Sequence, residues 1–216
     1  MSVNLKTVPL FKGLPEDELR ILADKAVIKT LPKNALLFTE GESSQSLYVV
    51  LSGKVKVCLN DQGGKEIILD VKGPGEYVGK MALDDGPRPA SIITMEPSLL
   101  AVISGSDFKQ LLIKHSDLAF SVIVSLIQEA RALIDNVKSY ATLDVYGRVS
   151  RMLLALAVEN RGNLVIPEKM TQQDMAGRVG TSREVINRIL RDLTIGGYID
   201  VKDRTITINK PLPARW

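Results

Sequence analysis

The sequence predicts an α+β chain: an N-terminal antiparallel β-barrel or roll, a long helix, and a C-terminal winged helix-turn-helix. Three observations carry that prediction. Between Lys33 and Ile103, short apolar or alternating runs follow one another at close spacing, separated by turn residues. From Asp117 to Tyr140 there is neither Gly nor Pro, and Ala119, Ile123, Leu126, Ala130, Leu133, Val137 and Tyr140 form a heptad seam of alternating four- and three-residue steps. From Thr171 to Leu193, two short helical patterns with capping signals are joined by a tight turn.

The 216 residues suffice for two domains or one large one. Apolar residues make up 45% and charged residues 25%, the balance of an ordinary soluble globular protein. No apolar run approaches the roughly 18–20 residues of a membrane span, and Met1-Ser-Val-Asn-Leu-Lys6 has no signal-peptide core. A cytoplasmic setting with no membrane partner is expected. The lone Cys58 excludes an internal disulfide framework and fits a reducing compartment. Within its alternating run it reads as a small core residue rather than a redox sensor. The net charge of +3 is uneven: residues 140–216 hold 12 Lys+Arg against 8 Asp+Glu, and residues 1–139 hold 16 against 17. The modest basic excess therefore lies with the helix pair. One histidine, one cysteine and no acid pair or nucleophile motif leave no catalytic constellation, so no enzyme is expected.

In chain order, Phe11-Lys-Gly-Leu-Pro15-Glu-Asp-Glu18 opens the first helix, with Pro15 at a first helical position and acids behind it. Leu19, Leu22, Ala23 and Ala26 form its apolar stripe. Strands are expected at 36–38, 47–51, 54–59, 66–71, 90–94 and 99–103, with turns at 40–42, 52–53, 61–64, 73–75 and 85–87. Ser106 or Asp107 should cap a further helical region. Beside the heptad seam runs a second apolar line, Phe120, Ile127 and Ile134. Two lines suit two partners, a second copy on the seam and the barrel under the other; a single helix buried against its own domain is the alternative. Leu143-Asp-Val-Tyr-Gly-Arg148 interrupts the pattern, with Gly147 as hinge or helix start. Residues 149–159 read as an amphipathic helix, 164–167 as a short strand, 196–208 as a hairpin-like wing and 211–216 as an irregular tail.

In the helix pair, Thr171-Gln-Gln-Asp174 and Thr181-Ser-Arg-Glu184 are capping-box patterns, and Gly180 suits a left-handed helix end. At 100° per residue, Val185, Ile186, Ile189, Leu190 and Leu193 fall on one side of the second helix. Arg183, Glu184, Asn187, Arg188 and Arg191 fall on the other. Such a face suits the DNA major groove, where Arg grips guanine, Asn suits adenine and Glu accepts from cytosine. The plainer alternatives are a solvated surface helix and, for Glu184, a capping acid that touches no base.

A β-roll, a long pairing helix and a winged helix-turn-helix, in that order, resemble the CRP/FNR family of bacterial transcription regulators, which includes the cyclic-AMP receptor proteins. The resemblance covers nearly the whole chain. Its most specific part is Thr181-Ser-Arg-Glu-Val-Ile-Asn-Arg-Ile-Leu190, close to the family's recognition-helix signature. The segment Leu143-Asp-Val-Tyr-Gly-Arg148 and the glycines Gly41, Gly53, Gly75 and Gly79 also have family counterparts. The resemblance implies an effector-binding jelly-roll of cyclic-nucleotide-binding type at 1–116, a dimerisation helix at 117–141 and a DNA-binding winged helix-turn-helix at 142–216. It also implies a homodimer on palindromic double-stranded DNA, with RNA polymerase as a further partner. Arg183, Glu184 and Arg188 would read TGTGA-like half-sites, with Asn187, Thr171 and Ser182 also on the DNA.

The family's nucleotide motif has its counterpart in Val78-Gly-Lys-Met-Ala-Leu83-Asp-Asp-Gly-Pro-Arg88-Pro-Ala90. Arg88 matches the phosphate-gripping arginine, and Gly79, Lys80, Met81, Ala82, Pro89 and Ala90 complete the implied effector site. Lys80, however, stands where the family's glutamate bonds the ribose, so an acceptor has become a cation. Pro89 lacks the hydroxyl and N–H of the usual residue. Leu133 and Ile134 fall near the positions where cyclic-AMP-responsive members place hydroxyls on the adenine. With each lost partner costing about 1–3 kcal/mol, high-affinity cyclic AMP is not expected. Lys80 with Arg88 would suit a ligand richer in phosphate, such as cyclic di-GMP. Alternatively the site holds no ligand, and the two cations pair with Glu76, Asp84 or Asp85. A single cysteine does not hold an iron–sulfur cluster, and the lone His115 reads as a surface or packing residue rather than a haem ligand. The competing functional class is a ligand-binding module acting through protein partners, for which the Arg/Glu/Asn/Arg face and the wing have no use.

Overall fold

The structure, a computed structural model, describes residues 5–43, 45–61, 66–160, 162–202 and 205–213. The chain forms two compact units, Met1–Leu59 with Leu69–Arg131, and Asn60–Ile68 with Ala132–Trp216.

After two 3-10 turns comes α1 (Glu16–Lys25), with Pro15 as N-cap and three acids in its first turn. Eight strands follow: β1 (Val27–Leu31), β2 (Leu36–Phe38), β3 (Ser46–Ser52), β4 (Val55–Asn60), β5 (Glu66–Lys72), β6 (Tyr77–Val78), β7 (Ser91–Thr94) and β8 (Ser98–Ser104). They make two four-stranded sheets, β1-β8-β3-β6 and β2-β7-β4-β5, the arrangement of a jelly roll. Six strands lie where the alternating runs place them. β1 and the two-residue β6 do not: four of the five β1 residues are exposed, so no alternation marks them, and the strand exists through its pairing with β8.

The roll has two cores because its strands alternate. Leu47, Val49, Ala101 and Ile103 turn toward Phe11, Leu22 and Phe108. Val50, Val55, Ile92 and Leu100 turn toward Phe38. Val49 and Val50 are both buried, on opposite faces, just before the β3–β8 register shifts between Val50 and Ser52.

α2 (Gly105–Lys114) starts two or three residues earlier than expected. Its N-cap is Ser104, whose Oγ accepts from the Asp107 amide at 3.0 Å; Ser106 and Asp107 lie inside the first turn. The long helix α3 (Ser116–Thr142) follows. The expectation that Phe120, Ile127 and Ile134 cover the roll is corrected: Phe120 and Ile134 are each 66% exposed, and Ile127 is exposed as well. The roll instead takes Leu118 and Val122 into its core, and the Tyr77 hydroxyl lies 3.1 Å from that of Ser125. Position 120 lies about 200° around the helix from 118, so the two lines cannot face the same way. The heptad residues Ile123, Leu126, Leu133, Val137 and Tyr140 are exposed too. Among the described residues, no single helix is long and apolar enough to cross a membrane.

In the second unit, α4 (Val145–Leu156) begins at Asp144, whose carboxylate accepts from the Gly147 amide at 2.8 Å. Gly147 is thus part of a helix start. α4 ends before the expected 159, and Val158–Asn160 forms a strand, β9, paired with β10 (Asn163–Ile166). Then come α5 (Gln172–Val179), α6 (Arg183–Ile195), β11 (Ile199–Lys202) and β12 (Thr205–Ile208). The wing is therefore half of a four-stranded sheet, β11-β12-β10-β9. Its core joins Val149, Leu153, Ile166, Ile186, Leu193 and Ile199. The glycine turn at 62–64, the wing turn at 203–204, the first four residues and the end of the tail at 214–216 lie outside the described residues.

Leu193→Ala, at a fully buried position, is expected to destabilise this unit by about 2–5 kcal/mol. Ile113→Ala, on a residue that is almost wholly exposed, should stay within about 0.5 kcal/mol. Urea unfolding of both variants checks the contrast.

Candidate DNA-reading face and effector cradle

The helix pair is fixed at both its starts and its turn. Thr171 caps α5 with a complete capping box: its Oγ1 accepts from the Asp174 amide, and the Asp174 carboxylate accepts from the Thr171 amide, each at 3.1 Å. Gly180 ends α5 at φ +72°, and a side chain there would meet the Tyr140 ring at 2.9 Å. The second cap sits one residue later than the sequence pattern suggests. Ser182, not Thr181, is the N-cap of α6, its Oγ accepting from the Val185 amide at 3.4 Å.

Four apolar residues of α6, Ile186, Ile189, Leu190 and Leu193, are buried, and Val185 packs at the edge of the same core. Arg183, Glu184, Asn187, Arg188 and Arg191 are all exposed. The Asn187 Oδ1 lies 3.4 Å from the Gln172 Nε2 of α5. Glu184 is held as a carboxylate, its pKa lowered by its own backbone amide and then by the Ser182 hydroxyl. The acid is thus already engaged at the helix start, yet it stands on the exposed face.

In the roll, the segment after β6 turns at Gly79 (φ +92°) into a short 3-10 turn, Lys80–Leu83. Arg88 lies opposite, on a stretch whose backbone is held by the Glu42 carbonyl and the Gly41 amide at 2.8 Å each. Its residue is 4% exposed, and its guanidinium stacks 3.9 Å above the Phe38 ring centroid. Nη2 donates to the Ser46 carbonyl at 2.9 Å, while Nε and Nη1 have no hydrogen-bond partner. Burial lowers the Arg88 pKa, but a guanidinium remains charged at neutral pH. Two unsatisfied donors on a buried cation fit an anion such as a phosphate.

The neighbouring lysine is differently placed. Lys80, with its side chain only 9% exposed, is bonded to Glu129 of α3 and sits 4.4 Å from the Tyr77 ring centroid. Lys72 approaches the same carboxylate at 3.6 Å and also contacts Asp70 at 2.8 Å and Glu76 at 3.5 Å. Burial tends to lower the Lys72 pKa, but these three acids outweigh it and leave it raised. Of the acids expected to pair with Lys80 and Arg88, Glu76 contacts Lys72, Asp85 binds Lys109 at 2.7 Å, and Asp84 accepts from the Gly86 amide at 3.0 Å. Met81 and Pro89 are exposed, Ala82 and Ala90 buried, and Leu133 and Ile134 stand exposed on α3. Glu129, Phe38, Ser46 and Tyr48, whose ring centroid lies 5.8 Å from the Arg88 guanidinium, were not singled out from sequence. Glu129 had a signal, being the only acid of α3 between Asp117 and Asp135.

A roll with a buried, unsatisfied guanidinium is joined in one chain to a winged helix-turn-helix, the arrangement of a two-part DNA-binding regulator. Family models agree part by part. A cyclic nucleotide-binding domain matches residues 28–115, and a Crp-like helix-turn-helix domain matches residues 147–211. The chain is 27% identical over 214 residues to the CRP-like cAMP-activated global transcriptional regulator of Mycobacterium tuberculosis, covering 97% of this chain and 96% of that one. It is 28% identical over 207 residues to the cyclic AMP receptor protein of Thermus thermophilus, covering 95% and 94%. The c-di-GMP-responsive global regulator CLP of Xanthomonas campestris shares its fold with TM-score 0.77 and 24% identity, over 91% of this chain and 100% of that one. The chain belongs to the CRP/FNR family of transcription regulators and is a DNA-binding regulator with a cyclic nucleotide-binding domain, not an enzyme.

Gly79→Ala places a Cβ in a left-handed turn, 2.7 Å from both Arg88 Nη1 and the Ser46 carbonyl. The variant is expected to lose about 1–3 kcal/mol of stability in urea unfolding. An unchanged midpoint would show that this turn is not fixed as described.

Proposed function

We propose that the chain acts in the cytoplasm as a homodimeric, sequence-specific regulator of transcription. Two copies pair along α3, with domains bounded near residues 116 and 141, and the two α6 helices read a palindrome of TGTGA-like half-sites. The observation that carries this reading is the sorting of α6. Every large apolar residue on its back is buried or half-buried, while Arg183, Glu184, Asn187 and Arg188 all remain exposed on one face. Arg183 and Arg188 suit guanine O6/N7 and Glu184 suits cytosine N4, with Asn187 beside them. Thr171 and Ser182, exposed at the starts of α5 and α6, would meet phosphates. The exposed seam of α3 supplies a surface for the second copy. RNA polymerase is the expected further partner, as in family members.

The roll is read as the seat of a small anionic effector. Arg88 would hold its phosphate, with Gly79, Met81, Ala82, Pro89 and Ala90 around it. High-affinity cyclic AMP is not the expected effector. The ribose acceptor is absent at Lys80, and that lysine is itself taken up by Glu129 rather than left to meet a second phosphate. Cyclic di-GMP, to which the Xanthomonas relative responds, remains a candidate, as does a protein that needs no nucleotide.

Two outcomes are expected. Arg183→Ala should lose about 1–3 kcal/mol of preference for the cognate half-site over a base-substituted one, while Arg20→Ala, outside the helix pair, changes neither. Fluorescence anisotropy with labelled duplexes measures both, and an unaltered preference in Arg183→Ala sinks the assignment. In calorimetric titration, any cyclic nucleotide that binds should weaken by about tenfold or more with Arg88→Ala. Saturable micromolar binding of cyclic AMP would overturn the reading of the cradle.

A further inference from the structure

Arg148 lies on the first turn of α4, outside both the DNA-reading face and the roll. Its Nε donates to the Val179 carbonyl at 2.9 Å, and its Nη1 donates to the Leu143 carbonyl at 2.9 Å. Its guanidinium also stands 5.3 Å from the centroid of the Tyr140 ring. Val179 is the last residue of α5, and Leu143 immediately follows the last residue of α3. Both carbonyls thus lie at helix C-termini, where donors are missing and the helix dipole is negative. One half-buried cation caps the ends of two helices at once. Tyr140, under that cation, also lies against the turn of the helix pair, close enough that any side chain at Gly180 would collide with it. Arg151, one turn further along α4, donates to the Asp135 carbonyl of α3 at 2.7 Å.

We infer that Arg148 is a positioning residue that locks the C-terminal end of the long helix to the turn of the helix-turn-helix. The direction in which α6 presents its exposed face is thereby fixed to the axis of α3. This rests on the dimeric reading above and adds to it a residue that sets the permitted spacing between half-sites. The chemistry demands arginine. A planar guanidinium donates along two directions while stacking on a ring; a lysine ammonium keeps the charge but not the fork. Changing half-site separation by one base pair moves one site by about 3.4 Å and rotates it by roughly 35°. A rigid lock penalises that change, and a loosened one tolerates it.

The test uses the full chain with Arg148→Lys and Arg148→Gln, on palindromes at the preferred spacing and with one base pair added or removed. Thermal melting and sedimentation accompany each variant, to read folding and dimer mass. The unaltered protein is expected to lose about tenfold or more in affinity off-spacing, and a folded, dimeric Arg148→Lys to lose less than about threefold, with base preference within the half-site unchanged. Equal spacing discrimination in the unaltered protein and the variants overturns the inference, however much overall affinity falls. Unfolding of both variants also overturns it, because Arg148 would then serve stability alone. Half-site selectivity without any spacing preference in the unaltered protein defeats the lock but leaves the DNA reading standing. Absence of palindrome binding defeats the reading itself.

Discussion

The long helix α3 can give only one of its faces to the roll, and it gives the line of Leu118, Val122, Ser125 and Glu129. Leu118 and Val122 complete the roll core, Ser125 meets the Tyr77 hydroxyl, and Glu129 binds Lys80. Everything else about the helix follows from that choice. The heptad seam and the line of Phe120, Ile127 and Ile134 are both left outside. Burying one large aliphatic or aromatic side chain contributes about 1.5–3 kcal/mol, so a face this wide favours association with a matching face. The proposed partner is a second α3, whose own seam has the matching pattern.

The same contact bears on the proposed effector site. Sequence alone offers Lys80 as a cation beside Arg88. In the structure it closes an ion network with Glu129, Lys72, Asp70 and Glu76, linking β5, the 3-10 turn and α3 within one unit. Arg88 is then the cation with unsatisfied donors, buried against Phe38. Its orphan Nε and Nη1 carry a cost of burial that a bound acceptor would relieve. These two donors support the proposal that the roll holds a phosphate, while a cation at Lys80 offers no acceptor for a ribose hydroxyl.

Much of this was legible in the chain. The apolar back of α6, the capping box at Thr171, the left-handed Gly180 and six of the roll strands all follow from spacing and turn chemistry, because each is set by neighbours within a few residues. What sequence did not give was tertiary. Nothing in the periodicity of α3 says which line faces the roll, since both apolar lines look equally fit to be buried and the true one carries Ser125 and Glu129. β1 is invisible because four of its five residues are exposed and its partner β8 lies about seventy residues away. The Ser182 cap and the early end of α4 differ by a residue or a turn, where competing caps have similar strength. The Lys80–Glu129 pair joins distant segments, and no local pattern announces it.

In the proposed function, the pairing of two chains through α3 is the point on which palindromic recognition, spacing and effector control would all depend. The most direct measurement is the mass of the protein–DNA complex by sedimentation equilibrium, using a duplex that carries one TGTGA-like palindrome. Two chains per duplex, with no one-chain complex accumulating during the titration, is the expected result. One chain per duplex, or independent filling of the two half-sites, would contradict it.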